Sequence, residues 1–266
     1  MLPIKKVCDD TRFRSSDSAS HSDFNIDLPT TFLMPEDTGF YIDDVCIPHS
    51  WYTVNANVND RVFFYYGNQT LQPATVPEGI YNITNLALAI AQAMNTTLNL
   101  PVFESEAELK TNVIRISLKP AYVHSSWSLL TDAELQAGNF TTSLARSMNS
   151  LIKNFTSKGF NSQDFVSGYV DLVPMRNLYL SASGLGNFNT MTITGDRNIV
   201  KKIPVNASPG DVIFDQTVTG MNYLDCSQQA LSRISFKLRD THGNTIDPHG
   251  NHFSFYIVFS RVQNGS

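Results

Sequence analysis

Three histidines near the C-terminus are the residues whose types and spacing come nearest to a chemical site. With two neighbouring carboxylates they occupy one short segment: Asp240, His242, Asp247, His249 and His252. Imidazole nitrogens and carboxylate oxygens are common ligands of transition metals, so the set would suit a metalloenzyme. The spacing matches no established metal motif, however, and two of the histidines stand next to glycine, as residues of turns do. The sequence therefore predicts solvated turn residues here and no metal site.

A second set has the residue types of a hydrolase triad. Ser18, His21 and Asp23 lie close together in a polar segment near the N-terminus. Catalysis by such a triad requires a fixed geometry and the exclusion of water, and nothing in a short polar segment would supply either. We interpret these three residues as a chance combination.

The remaining candidates for chemistry are weaker. Several carboxylates lack a partner for acid–base catalysis: Asp43, Asp44, Glu104, Glu106 and Glu108. Gly184 and Gly186 are not followed by the third glycine and the helix of a dinucleotide-binding fold. A phosphate-binding GxxxxGK[ST] motif is absent from the sequence. The sequence thus predicts no catalytic residue and no cofactor, and hence that the protein is not an enzyme.

Charge and cysteine content restrict the class of protein further. The 266 residues carry a formal net charge of −5, with a pI near 5.6, which argues against a specific nucleic-acid binder. Three widely spaced cysteines suit free thiols in a reducing compartment: Cys8, Cys46 and Cys226. We find no apolar run near the roughly 18 residues of a membrane span, and no secretory signal at the N-terminus. We therefore expect a protein that is assembled inside the cell.

Short alternating segments must position whatever site the chain has. Residues 232–240 alternate apolar and polar side chains, and residues 252–259 do so again after a turn, which predicts a C-terminal hairpin. Further strand candidates are residues 23–28, 39–47, 61–66, 113–118, 168–173, 177–181, 190–194, 199–205 and 211–214. Residues 81–95 have apolar side chains at helical spacing and predict one clear helix. Such short strands, separated by Gly, Pro and Asn, predict an all-β protein, a single jelly-roll β-sandwich of two antiparallel sheets.

Two regions lack these strand patterns. Residues 1–22 are polar and rich in serine, which predicts an extended N-terminal arm preceding one jelly-roll domain over residues 23–266. Residues from about 120 to 165 have weak patterns and predict an irregular excursion from the domain. An extended arm offers unpaired backbone groups for strand addition to a neighbouring subunit. We predict that the arm contacts neighbours through Arg12, Phe13 and Arg14.

Several segments, in this order, resemble those of one protein family. They are residues 13–29, 41–54, 77–86, 128–135, 165–174, 177–180, 236–247 and 253–255. Together they resemble the single jelly-roll penton, or minor capsid, proteins of polinton-type elements, adintovirus-like viruses and virophages. The resemblance extends over about residues 12–260.

This resemblance implies a role in a virus particle. It implies a vertical jelly roll that forms homopentamers at the fivefold vertices of an icosahedral capsid. There it would contact trimers of a larger, double jelly-roll major capsid protein. The family has no catalytic residues, which agrees with the empty search for chemistry.

Three alternatives stay open on the sequence. The chain could be another minor capsid or cement protein of the same shell. It could be a carbohydrate- or receptor-binding jelly-roll module, with Trp51, Tyr52 and Trp127 as candidate exposed aromatics. It could also be a cupin-like metalloenzyme, which would require a metal ion at the C-terminal histidines.

Overall fold

The computed structural model describes residues 3–67, 70–140, 146–152, 164–173, 175–186, 188–192, 195, 197–217 and 223–261. In chain order the strands are β1 Pro3–Asp10, β2 Asp23–Leu33, β3 Thr38–Pro48, β4 Arg61–Tyr66, β5 Gln72–Thr75, β6 Phe103–Glu108, β7 Val113–Leu118, β8 Trp127–Leu129, β9 Asp164–Val166, β10 Asn177–Ser183, β11 Ile199–Pro204, β12 Val212–Asp215, β13 Leu224–Asp225, β14 Ala230–Arg239 and β15 Ser254–Arg261. The α-helices of the described residues are α1 Ile83–Leu98 and α2 Asp132–Ala137.

The chain divides into two compact units. The first, which we call the jelly-roll unit, consists of Met1–Trp51 and Met175–Ser266. The second, the inserted unit, is Tyr52–Pro174, and in sequence it lies between β3 and β10.

The jelly-roll unit is built from two antiparallel sheets. Sheet A has the strand order β1-β15-β3-β12, with the two-residue β13 also paired to β3, and sheet B has the order β11-β10-β14-β2. When the unit's strands are counted along the chain without β13, these orders become 1-8-3-6 and 5-4-7-2. Apart from the consecutive pair β10 and β11, each sheet pairs strands that are not consecutive in the chain, as the two Greek keys of a jelly roll do. The predicted all-β jelly roll of two antiparallel sheets is confirmed.

Aromatic side chains from both sheets form the core of this unit. In β14 the alternation predicted from the sequence buries Ile234, Phe236 and Leu238. Phe236 stacks on Phe24 of β2 at a centroid distance of 5.5 Å and meets Phe255 of β15 edge-on at 5.1 Å. Each fully buried phenylalanine contributes about 1.5–3 kcal/mol through removal of apolar surface from water.

The predicted C-terminal hairpin is wrong. β14 lies in sheet B between β10 and β2, whereas β15 lies in sheet A between β1 and β3. The segment that connects them crosses from one sheet to the other. Local alternation marks a strand and its buried face but not its partner, so two adjacent alternating segments do not by themselves define a hairpin.

The N-terminal segment also differs from the predicted arm. β1 pairs with β15 in antiparallel register from Pro3↔Ser260 to Asp10↔Ser254. Residues 3–10 of the predicted arm therefore form an edge strand of sheet A. Its inward positions include Val7 and Asp9, so its polar composition hid the strand pattern. The single predicted domain over residues 23–266 likewise differs from the observed division into two units.

The inserted unit contains two three-stranded antiparallel sheets and α1. Their strand orders are β5-β4-β8 and β6-β7-β9. α1 follows the predicted helix closely and begins after Asn82, whose side-chain oxygen accepts a hydrogen bond from Asn85 N at 2.8 Å. It buries a stripe at helical spacing against this unit's core: Ile83, Leu86, Ala87, Ile90 and Met94.

The irregular excursion predicted over residues 120–165 is only part of the inserted unit. Among the described residues it contains β8, the beginning of β9, and α2, which starts with a capping box between Thr131 and Glu134. The strand predicted at residues 168–173 is absent from that segment, where Asp171 instead caps a turn by accepting a hydrogen bond from Val173 N. The strand predicted at residues 190–194 lies partly outside the described residues.

Candidate functional site

The C-terminal histidines lie in turns where the neighbouring carboxylates bind the backbone. Asp240 Oδ1 accepts hydrogen bonds from the backbone nitrogens of His242 and Asn244, and Asp247 Oδ1 accepts one from His249 N. His249 Nδ1 lies 3.0 Å from the carbonyl oxygen of Ser50. Within the described ranges, no group of three or more His, Cys, Asp or Glu side chains is placed to hold a metal ion. These carboxylates stabilise turns, as Asx residues commonly do.

The triad-like residues are directed to three different partners. Ser18 Oγ accepts a hydrogen bond from Asn25 N at 3.0 Å, and Asp23 Oδ2 accepts one from Lys237 Nζ at 2.8 Å. His21 Nδ1 lies 3.0 Å from Thr11 Oγ1. Burial and the nearby charge of Arg14 lower the pKa of His21. The structure therefore does not bring these side chains together as a nucleophile, base and orienting carboxylate.

The glutamates of β6 and the glycine at position 186, also considered for chemistry, have positions that a purely structural role explains. Glu104, Glu106 and Glu108 lie on the exposed side of β6. Gly186 adopts a φ of 152°, and a Cβ built on it would approach the carbonyl oxygen of Asp225 to 2.4 Å. This glycine is needed for close packing of the backbone against the β13 strand.

The candidate aromatics of a binding module are mostly covered. Trp51 is buried in the core of the jelly-roll unit, where its ring lies 4.2 Å from that of His49. Trp127 is buried in the core of the inserted unit, 4.9 Å from the ring of Phe103. Tyr52 is half-buried. The two tryptophans thus serve packing and do not form an exposed aromatic platform.

The segment predicted to contact neighbours is an exposed, anchored turn. Thr11–Phe13 forms a short 3-10 turn directly after β1, and the Phe13 side chain is 80% exposed. Arg12 binds the carboxylate of Asp10 with both its Nε and Nη2, at 3.0 and 2.7 Å. Arg14 Nη1 donates to the carbonyl oxygen of Thr11. Arg12 and Phe13 are therefore exposed and Arg14 half-buried, in a hydrogen-bonded turn at the end of an edge strand.

A second exposed apolar feature was not predicted. On β12, Ile213 and Asp215 face the interior, whereas Val212 and Phe214 face outward and are 40% and 57% exposed. The signal was present in the sequence, because residues 212–214 are apolar on both faces of the strand. Such a pattern is equally typical of a strand buried on both faces, so it does not by itself predict exposure.

A buried ion pair anchors β12 from the inside. Lys201 of β11 lies 3.3 Å from the carboxylate of Asp215, and both side chains are almost fully buried. Lys201 Nζ also donates to the carbonyl oxygens of Thr217 at 2.8 Å and Ile42 at 3.3 Å. The pair joins the β11 edge of sheet B to the β12 edge of sheet A and borders a cavity of about 850 Å³.

The two outer faces of the sandwich differ in character. On sheet B, Lys237 pairs with Asp23 at 2.8 Å, and Arg233 pairs with both Asp17 and Asp27. Sheet A has an ion pair on its outer face, between Lys6 and Asp43 at 4.0 Å, with Lys6 Nζ also over the Tyr256 ring. The rest of this face presents thiol, aromatic and apolar side chains: Cys8, Cys46, Val212, Phe214 and Tyr256. The outer face of sheet A is therefore the better candidate for contact with another protein.

One carboxyl is buried between the sheets. Asp9 of β1 is only 5% exposed, and its Oδ2 has no hydrogen-bond partner among the described residues. Burial raises the pKa of this carboxyl, a hydrogen bond with the Asp10 backbone lowers it and the charge of Asp10 raises it, and the net result is a pKa of about 7. The protonated form of Asp9 is thus the one that suits the folded sandwich.

The strand order and the connections between strands show the class of protein: it is a single jelly-roll protein with a second compact unit inserted, in sequence, between β3 and β10. Among solved structures, the mavirus penton protein is similar, with a TM-score of 0.58 and 8% sequence identity, over 97% of this chain and 99% of that one. A chain in the structure of the Sputnik virophage is similar over 96% of this chain and 98% of its own, with a TM-score of 0.49 and 12% identity. No protein-family model and no curated protein matches the sequence.

These comparisons concern the fold. At 8% identity, the likeness to the mavirus penton protein shows that the two chains share one architecture over nearly their whole lengths. The resemblance drawn from the sequence motifs is confirmed at that level. Separately, no helix within the described ranges is long and apolar enough to cross a membrane.

Proposed function

We propose that this protein is a structural virion protein of the penton type. In this proposal it forms homopentamers at the fivefold vertices of an icosahedral capsid and contacts trimers of a double jelly-roll major capsid protein. The observation that carries the proposal is the fold it shares with the mavirus penton protein over 97% of the chain. It needs no cofactor and no catalytic residue for this role.

The surfaces of the jelly-roll unit support assembly. Among the described residues, sheet A ends in the edge strands β1 and β12, and each has an exposed aromatic side chain on it or beside it, Phe13 next to β1 and Phe214 on β12. A ring requires two different surfaces on each copy, which meet head to tail and close by rotation. Opposite edges of one sheet are suited to that requirement.

The alternatives have less support. A carbohydrate- or receptor-binding module would need exposed aromatics, and the two tryptophans that were its main candidates are buried. A metalloenzyme would need the C-terminal histidines to converge, whereas the carboxylates beside them hold turns. We therefore argue for the capsid role alone.

The proposal is tested by the oligomeric state and by the position in the particle. Native mass spectrometry of the purified full-length chain should give a pentamer. Cryo-electron microscopy of particles made with the major capsid protein should place the chain at the fivefold vertices. A strictly monomeric protein that is never enriched at vertices would overturn the proposal.

A further inference from the structure

We propose that an exposed turn of one copy binds an exposed patch on β12 of the next copy, and that this contact closes the ring. The turn consists of Arg12, Phe13 and Arg14, and we call it the Phe13 turn. The patch consists of Val212 and Phe214 with two flanking carboxylates, Asp44 and Asp211, and we call it the β12 patch. The inference rests on the proposed function, because it names the surfaces through which penton copies would meet.

The Phe13 turn is held in place before any partner binds. Thr11 is fully buried, its backbone nitrogen donates to Phe253 O at 3.0 Å, and its Oγ1 accepts from Phe253 N at 3.1 Å. On the other side of the turn, Ser15 N donates to Asn25 O at 2.8 Å. Phe13 therefore protrudes from an ordered backbone, so little conformational entropy is lost when it is buried against a partner.

The β12 patch is equally well supported. Its two apolar side chains alternate with Ile213 and Asp215, which are buried, so the strand cannot rotate them away. The ion pair of Asp215 with Lys201 fixes the end of the strand from beneath. Two neighbouring exposed apolar side chains on an ordered edge strand are typical of a protein contact and not of a solvated edge, which usually carries charge.

Charge complementarity identifies a second copy of this chain as the occupant. Arginines precede and follow Phe13 in the chain: the Arg12 side chain is 56% exposed although it binds Asp10, and Arg14 is half-buried, with Nη1 donating to the Thr11 carbonyl oxygen. Carboxylates stand at both ends of the β12 patch. Asp211 precedes the strand and is exposed, and Asp44 accepts a hydrogen bond at 2.8 Å from Gln216, which follows the strand. An aromatic side chain between cations thus faces an apolar patch between anions.

The register of sheet A places the two features at the same level. Asp10, which leads into the Phe13 turn, is opposite Ser254, Ser254 is opposite Cys46, and Cys46 is opposite Phe214. These four residues form one row across the sheet, perpendicular to the strands. The start of the Phe13 turn is thus level with Phe214 along the strands, which suits a contact between copies related by rotation about an axis along the strands, as in a closed ring.

The test uses two serine variants and one matched control in the full-length chain. Phe13→Ser removes the turn's aromatic side chain and Phe214→Ser removes that of the patch. Leu33→Ser is the control, because Leu33 is also an exposed apolar residue but lies at the far end of β2 from Asp23 and outside the proposed contact. Circular dichroism should show that all three variants keep the wild-type fold, since each altered side chain is exposed.

In native mass spectrometry across a dilution series, we expect both phenylalanine variants to lose ring assembly. The dissociation constant of each contact should rise roughly 30-fold or more, as for the central residues of other interfaces. Leu33→Ser should assemble like the wild type. Asp211→Lys, a variant that leaves the apolar side chains intact, should weaken assembly most at low salt.

A mixture of the two phenylalanine variants gives a sharper readout. The intact turn of Phe214→Ser can bind the intact patch of Phe13→Ser, so the mixture should form dimers that contain one copy of each and that do not grow into rings. A wild-type protein that stays monomeric would refute the proposed function itself. A pentameric wild type whose two phenylalanine variants are also pentameric would overturn this inference and leave the proposed function standing.

Discussion

The buried carboxyl of Asp9 makes the stability of the jelly-roll unit depend on pH in an unusual direction. The folded state raises the pKa of Asp9 from 3.8 to about 7, chiefly by burial. Because the folded state holds this proton more tightly than the unfolded chain does, the contribution to stability is fully present below about pH 4. It is lost as the pH rises from about 4 to about 7 and stays lost above that range.

The size of this effect follows from the pKa change. A tenfold change in an equilibrium corresponds to about 1.4 kcal/mol. The change from 3.8 to about 7 therefore corresponds to about 4 kcal/mol lost between acid and neutral pH. Asp9→Asn carries no charge at any pH and should remove this loss. Between pH 3 and pH 8, the unfolding free energy of the variant should therefore rise by about 4 kcal/mol relative to that of the wild type.

The assay is urea unfolding at a series of pH values, followed by circular dichroism at protein concentrations where the chain is monomeric. Any fixed cost of the new amide cancels, because only the pH dependence of the difference is used. Asp225→Asn is the control of opposite sign, since hydrogen bonds from Ser227 lower the pKa of Asp225. That variant should lose stability relative to the wild type as the pH rises. A difference for Asp9→Asn that stays constant from pH 3 to pH 8 would refute the reasoning.

Three further predictions concern stability and are measured by chemical or thermal unfolding. Lys201→Met leaves Asp215 buried without its cation and should lower the free energy of unfolding by about 3–5 kcal/mol. Adding Asp215→Asn should restore part of that free energy. Equal losses in the single and double variants would count against a stabilising ion pair. Phe236→Ala should lower the free energy of unfolding by about 3–5 kcal/mol, because it opens a cavity between the sheets. Phe13→Ala, at an exposed residue, should change it little. Similar losses for both variants would contradict the core described here. Asn82→Ala removes the cap of α1 and should lower the free energy of unfolding by about 1 kcal/mol. Asn82→Asp keeps a capping oxygen and should retain the wild-type stability; an equal loss in both variants would show that capping is not the cause.

Much of the fold could be predicted from local patterns. The alternation in β14 and the helical spacing in α1 both identify a face that must be buried, and both elements lie where expected. β1 could not be recognised in this way, because it is an edge strand whose inward residues include Asp9, a residue type that is seldom buried. The partners of the strands could not be predicted from local patterns either, since β15 pairs with segments more than 200 residues away in the sequence.

The candidate site was only partly within reach of the sequence. Phe13 between two arginines was recognisable by residue type alone. The β12 patch was not, because an apolar residue on a short strand is equally compatible with burial, and it is the register of β12 in sheet A that turns Phe214 to the outer face. The division of the chain at Trp51 and Met175 depends on contacts between distant residues and has no local signature.

The position of β15 between β1 and β3 has a consequence for how the chain is made. During synthesis, β1 and β3 leave the ribosome more than 200 residues before β15 and cannot pair with each other in their final places. Among the described residues β1 pairs with no strand but β15, so sheet A can be completed only after this strand has emerged. Folding of this kind is slow and leaves strand edges exposed, so the nascent chain should depend on chaperones until Ser254–Arg261 is available.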